Sequence, residues 1–301
     1  MNSSLDVSRL RMLREVALRG SIAGAAREIG LTASAVSQQL SILEREAGTP
    51  LLDRSPRGVL LTGAGQALVA RTRAVLEILE EARADLDRLT GELAGAVRIG
   101  TVASAAASLV SDAVTRLVST HSELEVTVNV SEPARSIDAL LDGDLDVAVV
   151  DVYDGVPVPM PEYLRATDLC TEPLVVVAPQ GRFGQRARVK LASLTDADWV
   201  MPPLDAACGQ AVRFACRAQG FEPRVRWETD DMLLLVRAVA AGHGIAVLPR
   251  LAVDDTVADV AIRTLSEPVM TRRLLALTRS SSQERPVIQA TLTELAKAAA
   301  G

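Results

Sequence analysis

Ser34, Ser37, Gln38, Ser41 and Arg45 follow one another at spacings that place them on one face of a helix. Their hydroxyl, amide and guanidinium groups are the kinds that exchange hydrogen bonds with base edges in a major groove. A helix face that only meets water usually carries Glu and Lys, whereas this one is uncharged until Arg45. A little further on, Arg54 and Arg57 bracket Ser55-Pro56, with Gly58 next. Pro at the second and Gly at the fourth position suit a type I turn, which puts both arginines at a hairpin tip, in reach of phosphates or the minor groove. Each group also has a plain reading, as a solvated helix face and a solvated hairpin. Their order along the chain favours nucleic acid.

Local elements must position these side chains. Ile22, Ala25, Ala26 and Ile29 form the apolar stripe of a short helix, with Ser21 as N-cap and Gly30 in the left-handed position after its end. Thr32 caps a second helix whose buried face is Val36, Leu40, Leu43 and Ala47. Two short helices joined by a Gly-containing turn make a helix-turn-helix, and Ala25 and Ala26 let them approach closely. Strand-like runs at 51–54 and 59–61 then form a two-stranded wing. A third helix is expected from Thr62 to about residue 93. Leu68, Val75, Leu79, Ala82, Leu86, Leu89 and Leu93 lie along it, with gaps of 4, 3, 4, 3 and 4 from Val75 onward. That is a heptad seam on a rod about 45 Å long, and it implies a partner helix and hence a homodimer.

Beyond Gly91 and Gly95 the pattern alternates between strand and helix. Strand 96–100, helix 104–120, strand 124–130 with Leu124, Val126, Val128 and Val130 at period two, helix 131–141 and strand 145–150 make a βαβαβ series. A second series starts near Asp168, with strands 174–178 and 199–201, helix 206–218, strand 225–228, helix 231–241 and strand 245–248. Strand 274–277 and helix 284–299 close the chain.

Bulk properties narrow the function classes. The 301 residues carry net charge −6, but residues 1–65 hold eight Arg against six Asp and Glu, so +2 at one end faces −8 in the rest. No apolar run is long enough to span a membrane, and MNSSLDVSRL has none of the pattern of a secretory signal, so a cytoplasmic protein is expected. Three cysteines, Cys170, Cys208 and Cys216, give no disulfide framework, and two histidines exclude a histidine-rich metal centre. The G-H-G at 242–244 follows a helix and precedes a strand, the reverse of a dinucleotide loop. Gly-x-Ser-x-Gly, HExxH and P-loop motifs are missing, so no catalytic, metal or cofactor site is expected.

The stretch AAREIGLTASAVSQQLSILEREAGTPLLDRSPRGVLLTGAG resembles the N-terminal signature of LysR-type transcriptional regulators. DGDLDVAVV at 142–150 and AAGHGIAVLP at 240–249 are similar to motifs of that family's effector domain. The resemblance implies an α/β protein: an all-α winged helix-turn-helix at 1–62, a linker helix at 63–93, and an effector domain at 94–301. This last would be a two-lobed α/β domain of periplasmic-binding-protein type 2. Its lobe 1 would comprise 94–167 and 268–301, and lobe 2 168–267, with crossovers near 167–168 and 266–268. DNA contacts would fall on Thr32, Ser34, Ser37, Gln38, Arg54 and Arg57. Many members have Gln and Pro where this chain has Ala33 and Ser34, and Phe where it has Leu52, so base preference does not transfer.

In such a domain the effector cleft lies at the carboxyl ends of the strands, where helix N-termini offer free N–H groups. That places Thr101, Ser104, Ser131, Pro202, Leu204, Thr229, Asp230 and His243 as candidate effector contacts, although each residue taken singly also reads as a cap or turn former. Helix dipoles with Ser and Thr hydroxyls favour a carboxylate-bearing small molecule. The family also implies a homotetramer and a contact with RNA polymerase. Two alternatives remain at this point. One is a small-molecule binding protein that acts without DNA. The other is a thiol-redox regulator, since some peroxide-sensing relatives use a cysteine pair in the region of Cys208 and Cys216. These two cysteines lie eight residues apart on one expected helix, about 12 Å of rise, against the roughly 7 Å Cα separation a disulfide allows. Buried inert thiols fit them better.

Overall fold

Leu10, Leu13 and Val16 form the inward stripe of α1 (Val7–Arg19), a helix the sequence reading passes over because it starts at Ser21. In the computed structural model, which describes residues 5–55, 58–90, 93, 95–158, 160–253 and 259–300, this stripe packs on Ala25 and Ala26 of α2 (Ile22–Ile29). Val36, Leu40 and Leu43 of α3 (Ala33–Ala47) complete the core, as their spacing predicts. The caps are also as predicted: Ser21 Oγ accepts from Gly24 N–H, Thr32 Oγ1 from Ala35 N–H, and Gly30 takes the left-handed conformation. The wing is β1 (Leu52–Ser55) against β2 (Gly58–Leu61), antiparallel, with Arg54 opposite Val59. Pro56 and Arg57, at the expected turn, lie outside the described residues.

Helix α4 (Gly63–Thr90) follows, about 42 Å long. Its start is tied down: Thr62 Oγ1 donates to the Pro50 carbonyl and accepts from Gly65 N–H. A Cβ on Gly65 would stand 2.2 Å from the Leu51 carbonyl oxygen, so glycine is required for this approach. The chain divides into two compact units, 1–83 and 84–301.

In the second unit β3 (Gly95–Thr101) leads to α5 (Ala103–Ala105), then through a π turn (Ala106–Val110) to α6 (Ser111–Thr120). The expected helix 104–120 is therefore interrupted. After β4 (Leu124–Val130), α7 (Pro133–Asp142) and β5 (Val147–Tyr153) comes β6 (Leu164–Pro179). The rest is β7 (Arg188–Lys190), β8 (Asp198–Met201), α8 (Ala207–Ala218), β9 (Arg224–Glu228), α9 (Met232–Ala240), β10 (Ala246–Pro249), β11 (Val260–Glu267), β12 (Thr271–Arg279) and α10 (Pro286–Ala300).

The main sheet runs β4-β3-β5-β12-β6-β11-β7, with β10 also on β6. β3 is parallel to β4 and β5, as a βαβαβ series requires, and β12 is antiparallel to both β5 and β6. Two lobes share this sheet. In the first, Val97, Ile99, Val147, Leu274 and Ala276 pack on Leu117, Ile288 and Leu295, while Ala148, Val150 and Leu275 face Ile137 and Leu140. In the second, Leu174, Val176 and Trp199 pack on Val212 and Cys216, while Val175, Val177 and Ala246 face Leu235 and Val239. Strands covered on both faces are apolar throughout, which made 145–150 and 174–178 conspicuous.

The second series does not begin near Asp168. β6 starts at Leu164 and runs unbroken to Pro179, pairing with β12 up to Pro173 and with β10 and β11 from Leu174. Its first half is half-exposed and carries Arg165, Thr167, Asp168 and Thr171, so the apolar signal appears only from Leu174. β7 and β11, short or alternating with polar residues, are likewise additions to the expected elements. β4 is the sheet edge, and Val128 and Val130 are exposed although their period suggested a buried face.

Candidate DNA interface and effector cleft

α3 presents Thr32, Ser34 and Gln38 to solvent, with Ser37 half-buried beside them. Thr32 Oγ1 and Ser34 Oγ are 3.1 Å apart, and Ser41 Oγ donates to the Ser37 carbonyl. Two carboxylates of the helix are engaged by the chain itself. Glu46 takes a bidentate contact from Arg9 of α1, at 3.1 and 2.6 Å, and Glu44 Oε1 accepts from the Leu51 and Leu52 N–H groups. The same ties that anchor α3 to α1 and the wing pair Glu46 with a cation and hold Glu44 on backbone N–H groups, which limits their repulsion of phosphate. Arg54 holds its expected place on β1; Arg57 lies outside the described residues.

In the second unit the carboxyl ends of parallel strands meet as expected, though not all candidate residues take part. Ser131 N–H donates to the Thr101 carbonyl, joining the ends of β3 and β4. Thr229 N–H donates to the Met201 carbonyl, joining the ends of β8 and β9 and setting Pro202–Leu204 beside Thr229 and Asp230. Gly209 allows the 202–205 loop to lie on α8: a Cβ there would stand 2.1 Å from the Pro203 carbonyl oxygen. Arg213, paired with Glu228, also donates to the Pro202 carbonyl at 2.8 Å and holds the loop from behind.

Two expectations, Thr101 and His243, need correction, and Ser104 and Ser131 keep their places with partners of their own. The Thr101 side chain is fully buried and its hydroxyl donates to the Val102 carbonyl, so it offers the cleft nothing. Ser104 is in the first turn of α5, which begins at Ala103; it is buried, and its hydroxyl accepts from Arg272 Nη1. Ser131 does not cap α7. Glu132 holds the cap position, and Ser131 Oγ pairs with Ser136 Oγ at 2.7 Å. His243 lies past the C-terminal end of α9, whereas Thr229 and Asp230 precede its N-terminal end; nine helical residues, about 13 Å, separate them. It stacks on Trp227 with ring centroids 5.0 Å apart.

Between the lobes stands a charged group that sequence reasoning missed. Arg272 of β12 is 1% exposed. Its Nε donates to Glu172 Oε1 of β6 at 2.6 Å, and its Nη1 donates to Ser104 Oγ at 2.8 Å and Asp151 Oδ2 of β5 at 3.2 Å. Glu172 Oε2 accepts from Leu251 N–H, and Tyr153 Oη donates to Asp151 Oδ2. Burial opposes the charge of Arg272, but Tyr153, Glu172 and Asp151 more than offset this and raise its pKa. In sequence, the available signal was a charged residue placed directly against an apolar strand: Asp151 after 145–150, Arg272 before 274–277.

Glu132 is the second missed residue. Its side chain makes no bond to its own helix but reaches Ala207 N–H, the first turn of α8 in the other lobe, at 3.4 Å. Its pKa is raised, by burial first and then by Asp151, with Asp230 and Asp205 adding to the effect. The helix N-terminus expected to attract a ligand carboxylate therefore already faces one from the chain itself.

Cys208 and Cys216 are both buried on α8. Burial pushes each thiol up to about 12, assisted by Asp151 at Cys208 and by Glu222 at Cys216. Among the described residues no helix is long and apolar enough to cross a membrane.

A winged helix-turn-helix followed by a two-lobed α/β domain is an architecture that joins a DNA-reading module to a small-molecule domain. Residues 7–66 match the bacterial regulatory helix-turn-helix protein model of the lysR family, and residues 90–300 match the LysR substrate binding domain. The chain belongs to the LysR family of transcriptional regulators. It is 32% identical to the small neutral protease regulatory protein of Streptomyces lividans over 283 residues, covering 92% of this chain and 79% of that protein. Its fold is similar to that of a full-length OxyR variant from Pseudomonas aeruginosa, with TM-score 0.74, 21% identity, and 97% and 95% of the two chains covered. It is also similar to full-length CbnR complexed with its target DNA, with TM-score 0.57, 19% identity, and 98% and 99% covered.

Proposed function

We propose that two copies pair through the seam of α4 and read a dyad-symmetric operator, with a small effector bound between the lobes setting the spacing of the paired winged domains. The observation that carries this is the face of α3, whose polar side chains are outward while Glu46 is paired with Arg9 and Glu44 is held by backbone N–H groups. Thr32, Ser34, Ser37 and Gln38 would contact base edges, and Arg54 and Arg57 phosphates. The exposed seam supports pairing: Leu79 is 43% and Leu86 57% exposed in the single chain, with no place in its own core. In this reading the pair assembles further into a tetramer, engages RNA polymerase at the promoter, and works in the cytoplasm beside its DNA. Effector contacts would come from Ser131, Leu204, Thr229 and Asp230.

The thiol-redox reading shares its fold with OxyR, but buried thiols of raised pKa, about 12 Å apart in rise along one helix, make it the lesser one. Selection of bound genomic fragments, followed by gel mobility shift with Gln38→Ala, tests the main reading. The substitution is expected to weaken specific binding about tenfold or more and leave random DNA unaffected. Unchanged discrimination removes Gln38 from the reading set, and failure to select any fragment overturns the regulator model for this chain.

A further inference from the structure

Residues 181–190 read GRFGQRARVK, four cations and no carboxylate in a chain of net charge −6. One of them, Arg186, lines a cavity of about 670 Å³ together with Arg250, just past β10, and Arg263 of β11. Thr264 adds a hydroxyl, and Val175 of β6 and Ile262 of β11 supply an apolar wall. Among the described residues no Asp or Glu lines it. The carboxylates nearest its walls along the chain are engaged elsewhere: Glu172 accepts from Arg272 and from the Leu251 N–H, and Glu267 pairs with Lys190 at 2.9 Å. Arg263 is held by neutral partners, which fix its position and leave its charge. Its Nη1 donates to the Ile262 carbonyl at 2.9 Å and its Nη2 to the Gly184 carbonyl at 3.0 Å, while its Nε is buried with no acceptor among the described residues. Arg250 Nη1 donates to the Val253 carbonyl at 2.9 Å. Thr264 N–H donates to the Ala187 carbonyl and Arg186 N–H to that of Phe183, so the loop that carries Arg186 is tied down beside Arg263. Like charges gathered at one cavity repel unless an anion sits among them, and a guanidinium offers a carboxylate or phosphate two parallel N–H groups.

We propose that this cavity binds a small organic anion with two or more carboxylate or phosphate groups, received by Arg186, Arg250 and Arg263, its carbon skeleton against Val175 and Ile262. Taken as a sphere the cavity is about 11 Å across, room for a short skeleton with charge at both ends and more than a single inorganic ion needs. It contains none of Ser131, Leu204, Thr229 or Asp230, so it is a second ligand site beside the effector cleft. Pro173 also lines it, at the point where β6 passes from pairing with β12 to pairing with β10 and β11. An anion there joins β11, the 181–187 loop and the segment after β10 at the crossover between the lobes. That segment is itself tied to the buried ion group, since Leu251, next to Arg250, donates to Glu172.

Calorimetric titration of the full-length protein with fructose 1,6-bisphosphate, citrate and uncharged fructose tests this. Saturable binding of the bisphosphate or of citrate is expected, the tighter of the two naming the anionic group, with none for fructose. Arg186→Gln and Arg263→Gln should each weaken that binding about tenfold or more. Arg182→Gln removes the same charge from the same loop, but Arg182 lies over the Phe183 ring and does not line the cavity, so binding should stay within about twofold. Arg186 is exposed, and among the described residues its side chain makes no bond to the fold, so Arg186→Gln decides the matter even if Arg263→Gln fails to fold. No saturable binding of either anion, fructose binding as tightly as the anions, anion binding indifferent to Arg186→Gln, or an equal loss from Arg182→Gln overturns the proposal.

Discussion

Arg272→Ala tests whether the charged group between the lobes holds the effector domain together. The guanidinium is bonded to Glu172, Asp151 and Ser104, all buried, so its loss leaves two carboxylates without their cation. Breaking a buried ion pair on one side costs about 3–5 kcal/mol. Glu172 keeps the Leu251 N–H and Asp151 keeps the Tyr153 hydroxyl, which argues for the middle of that range, about 4 kcal/mol. The chain has two tryptophans, Trp199 and Trp227, both in the 84–301 unit. Tryptophan fluorescence in a urea titration therefore follows the effector domain without signal from the winged module. With a urea slope near 2.5 kcal/mol/M the midpoint should fall by roughly 1.5 M. The control is Arg272→Met with Glu172→Gln, which removes the cation and one of the two carboxylates it holds, leaving Asp151 with the Tyr153 hydroxyl. Because the penalty comes from stranded charge and not lost volume, this pair should recover much of the stability. A loss below about 1 kcal/mol for Arg272→Ala, or a double variant as unstable as the single one, refutes the reasoning.

Three other outcomes follow from the same geometry. Leu79→Ala removes an apolar side chain from each of two paired seams, about 4 kcal/mol together, and should weaken dimerisation roughly a thousandfold by sedimentation equilibrium; an unchanged constant places the interface elsewhere. Glu132 has its pKa raised in the folded chain, by burial and then by Asp151, so its ionisation opposes folding at neutral pH and the effect fades as pH falls below the ordinary carboxylate value. Glu132→Gln should accordingly raise the melting temperature at about pH 7.5 and leave it unchanged near about pH 3.5; a gain at acid pH contradicts that sign. With iodoacetamide at about pH 8, the half-exposed Cys170 should react first, and Cys208 and Cys216 only after unfolding; prompt labelling of Cys208 in the native protein rules out its burial.

What could be read in the sequence was local. Ser21, Gly30 and Thr32 bond within three or four residues of themselves, and the stripe Val36–Leu40–Leu43 needs only the helical period, so the reading module was visible in outline. β6 was half visible, because the stretch through Arg165 and Asp168 pairs with β12 while staying half-exposed. The cleft was hardest. Its strand ends followed from the alternation of elements, but Arg272 and Glu172 meet across 100 residues, and Arg272 and Asp151 across 121, with no spacing to betray them. His243 entered the candidate set because a turn before a strand looks alike at either end of a helix, and only the direction of α9 separates it from Asp230.

The start of α8 shows how a partner distant in sequence escapes local reasoning. Free N–H groups at a helix start attract anions wherever nothing else satisfies them. At α8 something does: Glu132, seventy-five residues earlier, supplies the anion from the opposite lobe. A helix dipole of about half a unit charge is thus already matched by one carboxylate of the chain itself. Glu132 and Ala207 belong to different lobes, and neither residue predicts the other in sequence. The charge at the start of α8 is therefore set by how the lobes meet, which no local pattern in either segment records.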